Sequence, residues 1–333
     1  IVFGDWSSDV CSSDLPPAIW SPATTVTLSL IYNDGADQTN DWSFTTANYP
    51  VLTPGMKVTD ANTRGFVWRV HQNEANQDSN MQKVLNALSG ALGLPNLADP
   101  NSQGPASAPG TPANPGNGMM TFNIPTVINV GQDTFGNFGS FIPDEQMPGI
   151  PGQTFSTDGI AVEITTFITL PSGLITMGVN SDDGFRTSAG FLNHTPVLLD
   201  QFDGGRSSTD SLFQFAAQEA GVYAFRTLYV EGNGNANLEW FIVKPDGSRV
   251  LVNDTDNGGP ASFQQGTIPT PPVDVTVKAS LNAGGQVVIE WSAGTLESAT
   301  EAGGAYSTVT GATSPYTVNP ADAPRKYFRV RVQ

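Results

Sequence analysis

Apolar and polar residues alternate along most of this chain, and a period of two is the signature of half-buried strands. The clearest case is "GIAVEITTFITL" (159–170), where Val162, Ile164, Ile168 and Leu170 share one face. A Pro-Ser-Gly turn leads from it into "LITMGVNSDDGF" (174–185). "GVYAFRTLYV" (221–230) and "NLEWFIV" (237–243) predict two further strands, closed by a turn at "KPDGSR" (244–249). "GFVWRVHQN" (65–73) reads as another. Near the start, "TTVTLSLIY" puts Val26, Leu28 and Leu30 on one face, Asn33-Asp34-Gly35 turns the chain, and "DWSFTT" returns with Trp42 and Phe44 inward. One segment changes period. From Asn80 to Leu92, residues Met81, Val84, Leu85, Leu88 and Leu92 fall on one helical face, with Gly93 and Pro95 as the stop. The Pro/Gly/Ser/Asn-rich stretch 95–118 predicts a long exposed loop, because it lacks the apolar residues needed to offset ordering entropy.

This pattern implies an all-β protein of tandem β-sandwich domains, with one helix and one long loop inserted in the central domain. Residues 60–255 form that central domain. Residues 256–272 read as a polar linker ending in Pro-Thr-Pro-Pro, and 273–333 as a small C-terminal sandwich of about five strands. Residues 16–50 resemble the closing hairpin of a bacterial immunoglobulin-like domain, the alternative being that they extend the next domain's sheet.

Composition narrows the function classes. The chain of 333 residues has 31 Asp+Glu against 14 Lys+Arg, a net charge of −17, yet only 14% charged residues. Thirty-five glycines and 25 prolines go with the loop-rich β modules of extracellular proteins. A field of that sign opposes phosphate binding, so no nucleic-acid partner is expected. No run of about 18 apolar residues is present, so no membrane span is expected.

The first fifteen residues stand apart. "DWSSDVCSSDL" (5–15) matches the in-frame translation of a common sequencing-library adapter, so residues 1–15 are expected to be a scar rather than protein. On that reading Cys11, the only cysteine, carries no chemistry, and the natural protein extends upstream of Pro16, signal peptide included. A lone cysteine among Ser and Asp would in any case form neither a zinc site nor a redox pair.

The chemistry-bearing pattern is "SDDG" (181–184) followed by "EAGVYAFRTLYVEGNGNANLEWFIVKPDG" (219–247). Together these resemble the PA14 family, a β-sandwich that serves as a binding module in glycosidases, adhesins, toxins and bacterial surface proteins. The resemblance covers about residues 155–254 well. In the sugar-binding branch two adjacent aspartates and an Asn from a second loop hold Ca²⁺, and the ion ligates sugar hydroxyls. That branch also has a cis Asp-Asp bond. The resemblance therefore implies Asp182 and Asp183 as metal ligands, with Asn233, Asn235 and Asn237 as candidate amide ligands. It further implies Asp182, Asp183, Asn233 and Asn235 as contacts to a glycan. Ca²⁺ takes six to eight hard oxygen ligands, which such a set supplies. Consecutive residues on a regular strand point to opposite faces, so both carboxylates reach one ion only if the backbone is distorted there. The other reading of "SDDG" is a turn in which Asp accepts backbone N–H bonds and Gly184 takes a positive φ.

Other candidates are weaker. "NDTDNGG" (253–259) holds Asp254, Asp256 and Asn257 but lacks the Glu that completes an EF-hand loop. Asp144 and Glu145 are neighbours on a loop, not carboxylates facing each other across a cleft. Phe185, Trp240 and Phe241 could stack on a sugar or fill the core. His71 and His194 have no partner motif. The C-terminal "EWSAGTLESAT…YSTVTGATSPYTV…KYFRVRVQ" resembles a small β-domain common at the ends of large secreted proteins of environmental bacteria. Its expected core is Trp291, Leu296, Tyr306, Val309, Tyr316, Phe328 and Val330. The sum is a non-catalytic binding or adhesion module of a secreted or cell-surface protein, with a glycan as partner and Ca²⁺ as cofactor. The alternatives are an accessory region of an extracellular hydrolase and a structural spacer.

Overall fold

The computed structural model describes residues 22–33, 37–112, 118–132, 138–190, 196–268, 276–300, 306–322 and 325–331. The adapter-like stretch with Cys11, and His194, lie outside them. The chain divides into two compact units, 1–269 and 270–333. Among the described residues no helix is long and apolar enough to cross a membrane.

Two sheets face each other in the first unit. One has nine strands, and at its centre Ile160–Leu170 pairs antiparallel with Gly221–Glu231 over eleven residues and with Phe66–Gln72 on its other side. The other has seven strands, with Gly173–Asp182 at the centre between Thr209–Ala217 and Asn237–Val243. The predicted alternation holds: Val162, Ile164, Ile168 and Leu170 are buried between the sheets. Trp240 is the hub of this core, with its ring centroid 6.1 Å from Phe66 and 6.2 Å from Phe225 on the facing sheet.

The helix spans Met81–Ser89. The side chain of Asn80 caps it by accepting from the Lys83 N–H, and Gly90 ends it in the left-handed conformation, φ 75°. The stop thus falls three residues earlier than Gly93, because a left-handed residue at 90 lets the Ala91 and Leu92 N–H groups turn back to the Asn86 carbonyl. Met81, Val84 and Ala87 pack on the outer face of the nine-stranded sheet, against Met119, Ala161, Leu228 and Val230.

Three expectations are corrected. The hairpin Thr25–Asn33/Asp37–Thr45 forms, but as its own two-stranded sheet, with Trp42 53% and Phe44 43% exposed instead of turned inward. A two-stranded ribbon has no second layer with which to bury a face. The stretch 95–112 is not a free loop, because Asn96 anchors it to the sheet. Its side chain accepts from the Gln72 N–H and donates to the Val70 and Gly118 carbonyls. Ala98 and Ala106 are buried, and Thr111–Pro112 pairs with Met120–Ile124. The supposed linker from 256 also begins too early. Ser262–Thr267 is a strand of the large sheet, paired with Lys57–Arg64 and touching Ile160–Leu170 through Phe263 and Ser262.

The second unit has two three-stranded sheets. One contains Val277–Leu281, Val287–Trp291 and Tyr316–Val318, the other Ser307–Thr308, Thr295–Ala299 and Tyr327–Arg331. Leu296 is buried as expected, with Ile289 and Ala299, whereas the six other expected core residues are only partly covered. In place of a wide apolar core, buried Glu297 is clasped by Arg329 and Arg331, both at 2.8 Å.

Candidate functional site

The chain crosses between the two sheets of the first unit at two places relevant to function. Gly173–Asp182 runs in the seven-stranded sheet, and the next strand, Gly184–Ala189, belongs to the nine-stranded sheet. Gly221–Glu231 runs in the nine-stranded sheet, and Asn237–Val243 in the other. Register places the two crossings side by side, since Asp182 pairs with Asn237 and Gly184 with Val230. Residues almost fifty positions apart in sequence therefore meet at one end of the sandwich. At this corner the Asp182–Asp183 peptide bond is cis.

Three carboxylates converge there: Asp182, Asp183 and Glu231 each offer an oxygen, and the three atoms lie within 4.8 Å of one another. Asp183 is 7% exposed and well supported. Its Oδ2 accepts from Ser79 Oγ at 2.7 Å and from the Gly232 N–H at 3.0 Å, and its Oδ1 from the Arg206 N–H at 2.8 Å. Asp182 is partly exposed, and its main-chain oxygen accepts from the Tyr229 hydroxyl at 2.5 Å. Burial, reinforced by the neighbouring Asp183, pushes the Asp182 carboxyl up to about 6.

Glu231 is 0% exposed, and neither of its carboxylate oxygens has a hydrogen-bond partner. Burial, then the two aspartates, push its carboxyl up to about 9. The nearest cation does not neutralise it directly: Lys83 Nζ donates to the Glu231 main-chain oxygen at 2.8 Å and to the Asp78 carbonyl at 3.1 Å. Burial drives that ammonium down to about 8. An acid cluster of this kind, buried and short of donors, is the arrangement that a hard cation would complete.

Of the amides expected here, Asn237 is buried. Its Nδ2 donates to Asn180 Oδ1 at 2.8 Å, while its Oδ1 has no hydrogen-bond partner. Asn233 and Asn235 are exposed on the second crossing, and Asn233 Nδ2 donates to Gln77 Oε1 at 2.9 Å. Gly232, between Glu231 and Asn233, is demanded by space, since a Cβ there would lie 2.3 Å from Ser79 Oγ and 2.5 Å from the Gln77 carbonyl oxygen. Sequence reasoning passed over Glu231. The signal was present in the alternation, because Phe225, Thr227, Tyr229 and Glu231 fall on one inward face and all four are buried.

The remaining candidates have structural roles. Phe185, Trp240 and Phe241 are core. Asp254 caps a short helical turn by accepting from the Asn257 N–H. Asp144 accepts from the Phe138 N–H, and the adjacent Glu145 is exposed. His71 Nε2 lies 3.1 Å from the Leu94 carbonyl oxygen, and burial lowers the ring's pKa.

No protein-family model matches this chain, and no curated protein matches it. Among solved structures, the PA14 domain of the MpAFP antifreeze protein is 15% identical at a TM-score of 0.37, covering 63% of this chain and 94% of that one. A PA14 sugar-binding domain from an RTX adhesin is 12% identical at 0.36, covering 61% and 100%. The A domain of epithelial adhesin 9 from Candida glabrata, solved with Galβ1-3GlcNAc, is 12% identical at 0.36, covering 67% and 99%. Each of these is a solved structure to which this chain is similar, at a TM-score below 0.5.

Proposed function

We propose that this chain is a non-catalytic binding module of a secreted or surface protein, holding Ca²⁺ at Asp182, Asp183 and Glu231 and taking a glycan through that ion. The observation that carries the reading is Glu231. Two buried carboxyl oxygens without donors, within reach of two aspartates, are unfavourable as an anion, so Glu231 must hold a proton or share a cation with them. Asp183 alone is accounted for as a turn residue by its three donors, but that explains neither Glu231 nor the partly exposed Asp182. All-oxygen donors suit Ca²⁺ rather than a thiophilic or imidazole-seeking metal. Asn237 Oδ1, opposite Asp182 in register, supplies a further oxygen, and the exposed Asn233 and Asn235 are offered to the ligand. When bound, the ion would take up vicinal sugar hydroxyls on its solvent side.

Titration calorimetry with Ca²⁺ on the full chain tests the metal step, with Asp182→Ala and Asp183→Ala as controls. Heat and a raised melting temperature in the wild type, lost in both variants, are expected. Absence of both in the wild type refutes the site. A glycan array with and without chelator then tests the second step, and binding that survives chelation separates the glycan from the ion.

A further inference from the structure

A second feature lies on the outer face of the nine-stranded sheet. Glu163 projects outward from Ile160–Leu170 yet is buried, because two arginines close over it. Arg226 Nε donates to Glu163 Oε1 at 2.6 Å, and Arg69 Nη2 pairs with Glu163 Oε2. Pairwise register explains the cluster. Arg69 sits opposite Glu163 on one neighbouring strand, and Arg226 opposite Thr165 on the other. Arg186 and Ser188, on the next strand, share this outward face, Ser188 being the register partner of Arg226.

The arginines line two adjoining depressions. One, of about 520 Å³, is bounded by Arg69, Arg226, Thr165, Phe167 and Gln264. The other, of about 440 Å³, is bounded by Arg186, Arg226, Ser188 and Leu198. Arg226 belongs to both, so they form one groove of ligand-binding size. The described residues lining it include three guanidiniums, two of them on Glu163, and that one carboxylate, which leaves two positive charges unbalanced. Elsewhere Arg249 pairs with Asp210 and Lys57 with Glu219, one cation to one acid, while Arg329 and Arg331 share Glu297. In a chain of net charge −17 this local excess is not what composition predicts. Burial and the neighbouring Arg226 also hold the Arg69 guanidinium below its usual range, a repulsion that a bound anion would relieve.

We propose that this groove binds the carboxylate or sulfate groups of an acidic polysaccharide, independently of the acidic corner at Asp182. Arginine forks match such oxygens in pairs. Thr165, Ser188 and Gln264 border them with the polar groups that sugar hydroxyls need, and Phe167 and Leu198 with apolar surface.

The test uses the full chain in chelator, so that the Ca²⁺ site makes no contribution. The ionic strength is about 0.15 M, where the Debye length of about 8 Å screens the distant carboxylates. Oligogalacturonate, a sulfated oligosaccharide, neutral dextran and inorganic sulfate are titrated by calorimetry. In chelator at least one acidic oligosaccharide is expected to bind, and dextran is not. Arg69→Gln and Arg186→Gln should each weaken binding about tenfold, as expected for loss of a charged hydrogen bond. Both leave the Glu163–Arg226 pair intact, and a cooperative melt by circular dichroism establishes that each folds. If sulfate binds as tightly as the oligosaccharides, the ligand is a free small anion and the polysaccharide assignment fails. If no anion binds, or both variants bind like the wild type, the groove is not an anion site.

Discussion

Replacing Glu231 by glutamine makes two opposite predictions about one residue. In the unliganded protein its carboxyl titrates at about 9 instead of 4.5, so at pH 7 the native state keeps a proton that the unfolded chain releases. A group with its native pKa raised in this way stabilises nothing as an anion. Its penalty is absent below about pH 4.5, grows as pH rises toward 9, and is constant beyond. Two and a half pH units at about 1.4 kcal/mol each put the penalty near 3 kcal/mol at pH 7. Glutamine keeps the shape and cannot ionise in either state, so Glu231→Gln should stabilise the Ca²⁺-free protein by up to about 3 kcal/mol at pH 7. The melting temperature should then rise by roughly 5–10 °C. Near pH 4.5 the two proteins should melt alike. With Ca²⁺ the order should reverse. Wild type at 1,000 times its dissociation constant gains about 4.1 kcal/mol, which exceeds that penalty, and the variant, lacking one ligand, gains far less. Differential scanning fluorimetry from pH 4.5 to 8, with Ca²⁺ or chelator, reads both effects. A variant that melts lower than wild type in chelator at pH 7, or that keeps the full Ca²⁺ shift, would refute the reasoning.

Three further outcomes follow from the same geometry. Gly232→Ala forces a methyl against Ser79 Oγ and the Gln77 carbonyl, displacing the donors of Asp183; Ca²⁺ affinity measured by calorimetry should fall at least tenfold with the core melt retained. Glu239, which accepts from the Ser140 and Phe141 N–H groups, is held up at about 7 by burial, so native Glu239 keeps its proton between about pH 4.5 and 7. Stability should fall as pH rises through that window, and Glu239→Gln, whose amide oxygen can still accept from both N–H groups, should flatten this slope in urea titrations. Asn80→Ala removes the helix cap and should cost about 1 kcal/mol by urea denaturation, with the hydrogen-exchange loss confined to Met81–Ser89.

Local pattern was sufficient wherever burial follows from period alone. The alternation of Ile160–Leu170 and the helical stripe from Met81 identified elements and inward faces, because a residue's face is fixed by its own backbone. Trp42 and Phe44 show the limit. Alternation says that a face is apolar, and only the arrangement of sheets says whether anything covers it. Asn96 shows a second limit, since a Pro/Gly-rich stretch becomes ordered through hydrogen bonds to strands more than twenty residues away.

For the acidic corner, the sequence by itself determined the paired aspartates, their place at a strand end and the loop that would face them. Alternation put Glu231 on an inward face but could not show that it stays buried, because a glutamate ending a strand is usually solvated. Nor could it bring together Arg69, Glu163, Arg186 and Arg226, four residues on four strands. Tertiary structure decided both. Two sheet crossings stacked at one end of the sandwich bury Glu231 beside Asp182 and Asp183, and strand register sets guanidiniums from two flanking strands on Glu163 with a third on the strand beyond. Charges so far apart in the chain are neighbours only through the hydrogen-bond ladder, and that pairing is not written in any local pattern.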